Sequence, residues 1–439
     1  VASGALGNGK ACIVNSNGTV SVVGAGPASF GAETTFEAGG FGSVNLAATF
    51  DSNSNRVVIA YRDEDDSSKG KAVVGSISGT SVTFGTPVQY EAGSTSSVAA
   101  TFDSNSNKVV IVYKDSGNSN YGTAIVGTVD SSDNSISFGT AVVFESATTT
   151  NIGSTFDSNS NKVVIAYRDG GNSNYGTAIV GTVSGTSISF GTAVVYETSS
   201  SQYNSPTFDS SNNKVVIAYR DGGDSNKGKA VVGTVSGTGI SFGSIVVYNN
   251  AVTSYTVSTF DSSSNKIVIS YTDNGNSTYG TAIVGTVSGT AISFGSEVVF
   301  NSGESSLVAS VFDSSQNKVA VVYKDSDNDP QLRFGTVSGT SISFSSASEV
   351  KEGSIGALTI AFDSNANSLL IAYEEGAGGD KGQSKVYNPA PPNLTSENFI
   401  GITPSAYPTG AGAEIQTKGA INEEQSGLTA GQSYFVQTD

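Results

Sequence analysis

The sequence has 439 residues, of which 53 are glycine, 37% are hydrophobic and only 13% are charged. Its net charge of −17 argues against a nucleic-acid partner, because phosphate backbones require basic patches that neutralise them. The sequence contains no apolar run long enough for a membrane-spanning helix. Its single cysteine, Cys12, excludes an intrachain disulfide.

Two similar segments lie at the ends of the chain. The letters LGNGK at 6–10 lead into ACIVN, and LTAGQ at 428–432 leads into SYFVQ. Both patterns are typical of a glycine turn that feeds a strand. We therefore predict a small β module built from residues 1–27 and 389–439, with Pro389, Pro391 and Pro392 as a stiff connector. The chain starts at Val1 and lacks Met, so we expect both ends to be cut.

Residues 28–388 carry seven copies of one unit. A Phe-Asp-Ser motif recurs 52 residues apart in four of six intervals, and 54 and 50 residues apart in the other two. Both length changes fall in turns, at 129–134 and just after Asp325, where insertions are tolerated. The motif aspartates are Asp51, Asp103, Asp157, Asp209, Asp261, Asp313 and Asp363.

Each unit is expected to form four antiparallel strands. In the third unit we predict them at 151–156, 162–168, 176–183 and 187–197, separated by turns rich in Asp, Asn, Ser and Gly. The second strand is apolar on both faces, which favours a neighbouring sheet on each side. Four short strands per unit of about 50 residues predict an all-β fold, a seven-bladed β-propeller.

The last unit lacks the pattern of a fourth strand. The letters SFGTAVVYE at 189–197 have no counterpart there, but SFGAETTFE at 29–37 matches them. We therefore predict that the N-terminal strand completes the seventh blade, which leaves no free sheet edge.

Basic residues recur where the second strand ends, and an acid follows at each position. We expect a structural ring of blade-to-blade ion pairs, and we expect the Asp51 series to form turns by accepting backbone N–H groups. The repeated position is basic in five units, at Arg62, Lys114, Arg168, Arg220 and Lys324, and is Thr272 or Glu374 in the other two; the acids are Asp63, Asp115, Asp169, Asp221, Asp273, Asp325 and Glu375.

The residue types argue against an enzyme. Without histidine, neither a Ser-His-Asp triad nor a histidine metal site can exist. Sialidase-like propellers need clustered arginines, but three of the five arginines here occupy one repeated position. A carboxylate pair could still cleave glycosides, yet the acids lie mostly in repeated turns. We predict no catalytic residue, no cofactor and no metal ligand.

Two candidate binding features remain open. The acidic loops at 63–66 and 325–329 offer oxygen ligands to calcium but lack EF-hand spacing, so solvated loops are the preferred interpretation. Tyr121, Tyr175 and Tyr279 recur in one loop and could stack on sugars or simply pack. The ligand-binding residues are therefore unknown from the sequence alone.

The letters NFIGI at 398–402, QSGLTAGQ at 425–432 and YFVQTD at 434–439 resemble a module in structural proteins of marine tailed phages. The N-terminal LGNG and NGTV motifs resemble segments of the same proteins. The repeats resemble arrays in cyanophage-like virion proteins, often described as tail-fibre-like. The resemblance covers nearly the whole chain and implies a virion surface or tail appendage. It supplies no catalytic residues.

Two functions follow as expectations. The first is a non-enzymatic virion protein at the extracellular virion surface, structural or engaged in host attachment. Its partners would be other virion or fibre proteins, a host cell-surface glycan or protein, and further copies of itself. The alternative is a secreted or cell-surface bacterial adhesin or lectin with a propeller binding head. Partner contact is expected at the variable connections 92–96, 146–150, 198–203, 249–254 and 301–305.

Overall fold

A computed structural model of the chain describes residues 11–14, 20–22, 28–376, 380–389, 399–402, 406 and 408–411. These residues form antiparallel β-strands joined by turns, with one 3₁₀ helix at Asn274–Asn276. The described part contains no helix that is long and apolar enough to cross a membrane. The chain separates into two compact units, residues 30–387 and residues 1–29 with 388–439.

The strands follow one another with the regular spacing that the repeats predict. The first are β1 (Ala11–Val14), β2 (Val20–Val22), β3 (Ser29–Phe30), β4 (Thr34–Glu37), β5 (Phe41–Asp51), β6 (Arg56–Asp63), β7 (Lys69–Ser78) and β8 (Ser81–Phe84). The next are β9 (Val88–Asp103), β10 (Lys108–Asp115), β11 (Tyr121–Asp130), β12 (Ser135–Phe138), β13 (Val142–Asp157), β14 (Lys162–Asp169), β15 (Tyr175–Ser184), β16 (Ser187–Phe190), β17 (Val194–Asp209), β18 (Lys214–Asp221), β19 (Lys227–Ser236) and β20 (Gly239–Phe242). The last are β21 (Val246–Asp261), β22 (Lys266–Asp273), β23 (Tyr279–Ser288), β24 (Ala291–Phe294), β25 (Val298–Glu304), β26 (Ser306–Asp313), β27 (Lys318–Lys324), β28 (Pro330–Ser338), β29 (Ser341–Phe344), β30 (Ser348–Glu349), β31 (Ile355–Asp363), β32 (Ser368–Glu375), β33 (Lys381–Asn388) and β34 (Phe399–Ile402).

The second strand of each blade forms its buried centre. In β14 the five residues 163–167 are fully buried, and Ile165 pairs with Ile179 on one side and with Ser154 on the other. Both faces of this strand meet neighbouring blades, so it carries no polar alternation. The prediction from the apolar run is confirmed.

Seven hydrophobic clusters each join two neighbouring blades. One joins Val110 of the second blade to Val163 of the third. Another joins Leu370 of the seventh blade to Val57 of the first, and the remaining five join the pairs between them. Seven interfaces among seven blades require a closed ring, so the predicted seven-bladed β-propeller is confirmed.

The N-terminal strand completes the seventh blade, as predicted. Strand β4 lies antiparallel to β33, with Thr34 opposite Ser384 and Glu37 opposite Gly382. The Thr35 hydroxyl also donates a hydrogen bond to the Gln383 amide oxygen at 2.9 Å. The ring is thus closed by a sheet that contains residues from both ends of the propeller.

The glycine of the Phe-Gly motif sets the spacing between blades. A Cβ on Gly191 would overlap the carbonyl oxygen of Thr238, which lies in the hairpin turn of the next blade. The same close approach joins Gly31 of the closing strand to Thr80 of the first blade. Only glycine permits this contact, because any side chain would displace the neighbouring backbone.

The predicted strand bounds in the third unit differ from the observed ones by more than one residue at two places. The inner strand begins at Val142 because it continues without interruption from the outer strand of the preceding blade. The outer strand predicted at 187–197 is broken between Phe190 and Val194. Gly191 packs against the next blade at that break, so the strand cannot continue straight.

The terminal unit contains an antiparallel sheet in the order β2-β1-β34. Cys12 is buried in it and lies opposite Val22 and Gly401. The two ends of the chain therefore contribute to one small sheet, as predicted. The predicted strand at 434–436 and the residues Pro391 and Pro392 lie outside the described residues.

Candidate functional site

The motif aspartates form turns, and this prediction is confirmed. The Asp157 carboxylate accepts the backbone N–H groups of Asn159 at 2.9 Å and Ser160 at 3.0 Å. The other six make the same pair of bonds. All seven are buried, so they cap turns rather than face a ligand.

The predicted ring of blade-to-blade ion pairs is wrong. Arg62 contacts the exposed Glu64, whereas Asp63 pairs with Lys71 of the adjacent strand at 2.5 Å. No carboxylate in the described part of the chain lies within 4.0 Å of Lys114, Arg168, Arg220 or Lys324. The acids are instead held within their own blades: Asp169 accepts the backbone N–H groups of Gly171 and Asn172, and Asp221 pairs with Lys229.

The acidic loops proposed as alternative calcium sites have internal partners. Asp66 contacts Lys69 at 2.8 Å and Lys71 at 3.2 Å, and Lys69 and Lys71 hold its pKa below the usual value. The Asp325 carboxylate accepts the backbone N–H groups of Asp327 and Asp329. Within the described residues, no group of three or more His, Cys, Asp or Glu side chains is placed to hold a metal ion.

Tyrosines at the blade interfaces donate to glutamates, a pairing that the sequence analysis did not identify. The Tyr219 hydroxyl donates to the Glu197 carboxylate of the preceding blade at 2.9 Å, and Tyr167 donates to Glu145 at 3.0 Å. Burial, followed by the charge of Glu197, raises the pKa of Tyr219 far above its usual range. These buried phenols join neighbouring blades.

A cavity of about 780 Å³ lies on the axis of the ring. All seven inner strands contribute to its wall, and the lining includes Leu46, Ser97, Asn151, Tyr203, Tyr255 and Leu307. Its volume is within the usual range for small-molecule sites, which is about 300–1,000 Å³.

In five of the inner strands, a β-bulge places one left-handed residue in the wall of this cavity. Asn151 and Tyr203 have φ of +51° and +52°, and Ser97, Tyr255 and Leu307 adopt the same left-handed conformation. For non-glycine residues that conformation costs about 1–2 kcal/mol. Bulges re-aim side chains, and here they present different residues on one repeated backbone shape.

Tyr203 and Tyr255 form the aromatic part of the cavity wall. Their ring centroids are 5.5 Å apart at 48°, and the Arg220 guanidinium lies 4.9 Å from the Tyr203 centroid. Arg220 also donates to the Ser254 hydroxyl at 3.2 Å. The backbone N–H of Tyr203 donates to the Asn151 side chain at 3.0 Å, which fixes its position.

The structure separates these residues from the tyrosines that the sequence singled out. Tyr121, Tyr175 and Tyr279 begin the third strands, are half-buried, and do not line the axial cavity. The bulge residues lie within or just beyond the variable connections, where the sequence analysis expects partner contact. No turn signature marks them, because Ser, Asn, Tyr and Leu share no preference for positive φ.

Comparison with solved structures identifies propellers of similar fold. The BP39L lectin from Burkholderia pseudomallei matches with a TM-score of 0.59 at 10% identity, over 79% of this chain and 98% of that chain. The NanB sialidase from Streptococcus pneumoniae matches with a TM-score of 0.47 at 12% identity, over 81% of this chain and 70% of that one. No protein-family model matches the sequence, and no curated protein matches it.

Proposed function

We propose that this chain is a non-enzymatic lectin that holds a glycan in its axial cavity. The observation that carries the proposal is the pair of tyrosine rings, Tyr203 and Tyr255, held over the cavity by strained bulges. Aromatic faces pack against the C–H faces of sugar rings and present an apolar body beside a polar tip. At Tyr203 and Tyr255 the left-handed conformation lies within a strand and not in a hairpin turn, which is where strain accompanies a binding role.

The polar groups of the cavity suit a ligand rich in hydroxyls. The hydroxyls of Tyr203 and Tyr255 have no hydrogen-bond partner among the described residues, so they are available to a ligand. Ser96 and Lys114 lie in the same wall and add further donors. A small number of polar groups in a largely apolar wall is typical of a small-molecule site.

The same wall favours binding over cleavage. Glycoside hydrolysis requires two carboxyl groups beside the scissile bond, and the lining residues include no Asp or Glu. The Tyr–Glu pairs, which could have suggested a sialidase-like nucleophile, are buried between blades. These two features support a binding role.

The shared fold is consistent with this proposal as an analogy, since one of the matched propellers is itself described as a lectin. The virion location and partners expected from the sequence stay predictions. A virion appendage with a glycan-binding head would agree with those predictions and with the lectin proposal.

The test compares three tyrosine variants of the full chain against a glycan array and then in solution. Ser97 occupies the equivalent bulge at φ +52°, so Tyr203→Ser and Tyr255→Ser preserve a backbone shape that serine already adopts. Each lost ring should weaken binding by about 2- to 10-fold. Tyr175→Ser is the matched control outside the cavity. Loss of binding in Tyr175→Ser alone would instead place the ligand at the rim.

A further inference from the structure

Five cations surround one end of the axial cavity. Lys114 pairs with Ser96, Arg168 with Thr150 and Arg220 with Gln202, so each lies opposite the residue just before a cavity-lining bulge. Lys324 is placed in the same way opposite Ser306. Arg62, with Lys114, lines the cavity directly. We call Arg62, Lys114, Arg168, Arg220 and Lys324 the basic ring.

The basic ring is largely without internal counter-ions. Only Arg62 has a carboxylate partner in the described part of the chain, the exposed Glu64. The Nε atoms of Arg62, Arg168 and Arg220 are buried and have no hydrogen-bond partner among the described residues. The terminal N–H groups of Arg220 donate to Gln202, the Ser254 hydroxyl and the Thr253 carbonyl, all of them neutral. A partly buried cation without a counter-ion is costly, and an anionic ligand beside it reduces that cost.

The remaining two positions of the repeat, Thr272 and Glu374, carry no positive charge. Thr272 is buried, and its hydroxyl donates to the Ser305 carbonyl at 2.8 Å, so it is satisfied internally. Glu374 is a buried carboxyl group on the opposite side of the ring from Arg168 and Arg220. Four cations, at positions 62, 114, 168 and 220, therefore lie on consecutive blades, while Lys324 lies between Thr272 and Glu374, on a protein whose net charge is −17.

We infer that the ligand of the proposed lectin is an anionic glycan whose carboxylate or sulfate group binds the basic ring while its sugar ring packs on Tyr203 and Tyr255. Guanidinium groups bind planar or tetrahedral oxyanions through paired N–H donors, and lysine adds a point charge. Arg62 and Lys114 line the same cavity as the aromatic pair, and Arg220 packs on the Tyr203 ring, which suits a sugar and its acidic substituent together. The inference rests on the proposed function.

The experiment measures dissociation constants by titration calorimetry for the full chain with three probes. These are trigalacturonate, its fully methyl-esterified form, and a sulfated trisaccharide. Esterification removes the charge and keeps the sugar. The wild-type protein should bind one of the charged probes at least about tenfold more tightly than the ester. Which charged probe is preferred identifies carboxylate or sulfate as the recognised group.

Two charge-removing variants test the location. Arg168→Gln should weaken binding of the charged probe by about three- to tenfold and leave binding of the ester unchanged, and Lys114→Gln, which lines the cavity, should weaken the charged probe more than the ester. Lys108→Gln is the matched control, because Lys108 begins the same strand β10 about 20 Å from Lys114. It should change neither value.

The outcomes separate the inference from the proposed function. Equal affinity for the ester and both charged probes, or binding of neutral glycans alone, would overturn the anionic ligand and leave the lectin proposal standing. An unchanged affinity in Lys114→Gln and Arg168→Gln would also overturn it. Binding of no glycan by a correctly folded protein would overturn both.

Discussion

The bond between Tyr219 and Glu197 offers a direct test of how the blades are held together. Tyr219→Phe removes one hydroxyl that donates to a buried carboxylate at 2.9 Å. A hydrogen bond to a charged group contributes about 1.5–3 kcal/mol. Glu197 keeps Lys229 at 4.0 Å as a weaker partner, so we expect the lower end, a loss of about 1.5–2 kcal/mol in the free energy of unfolding.

Urea denaturation of the wild type and the variant measures this loss as a lower midpoint with an unchanged slope. Tyr175→Phe is the control, because the Tyr175 hydroxyl makes no hydrogen bond within the described residues. A cycle with Glu197→Gln should give a coupling energy of at least about 1 kcal/mol. A change below about 0.5 kcal/mol in Tyr219→Phe, or equal effects in both phenylalanine variants, would refute the reasoning.

Three further predictions concern stability. Gly191→Ala should lower the free energy of unfolding in urea denaturation by about 2 kcal/mol or more, because the methyl group overlaps the Thr238 carbonyl. An unchanged midpoint would contradict the close contact between these two blades. Asp157→Ala should cost about 1–3 kcal/mol in the same assay through two lost turn bonds, and no loss would contradict the capping role. Burial raises the pKa of Glu374 from 4.5 to about 7, so the folded state retains a proton that the unfolded state releases. The stabilising contribution of the Glu374 proton is then fully present below pH 4.5 and is lost as the pH rises through 7. The free energy of unfolding of Glu374→Gln should therefore rise by about 2 kcal/mol relative to that of the wild type between pH 5 and pH 8. A difference that does not change with pH would contradict this.

The repeated features of the fold could be predicted from the sequence because each leaves a local signature. The apolar run at 163–167 marks a strand covered on both faces, and Asp157 with its polar followers marks a turn. The match between 29–37 and 189–197 revealed the closing strand, since the two segments occupy the same place in a blade. Repetition made these signals strong, because the same pattern appears seven times.

The cavity could not be predicted in the same way. Tyr203 and Tyr255 are aimed at the axis by left-handed bulges, and no residue type there announces a positive φ. The pairing of Tyr219 with Glu197 joins different blades, so neither residue indicates it alone. The ion-pair ring failed for a simpler reason, because the acids bind within their own blades, as Asp169 does to the backbone of its own turn.

The stoichiometry of binding tests the central claim most directly. The propeller has one axial cavity, whereas Tyr121, Tyr175 and Tyr279 would provide several equivalent sites at the rim. Titration calorimetry with a glycan selected on the array should give one ligand per chain, and Tyr203→Ser with Tyr255→Ser should weaken binding at that single site by about 4- to 100-fold. Two or more equivalent sites per chain that survive the double substitution would contradict binding in the axial cavity.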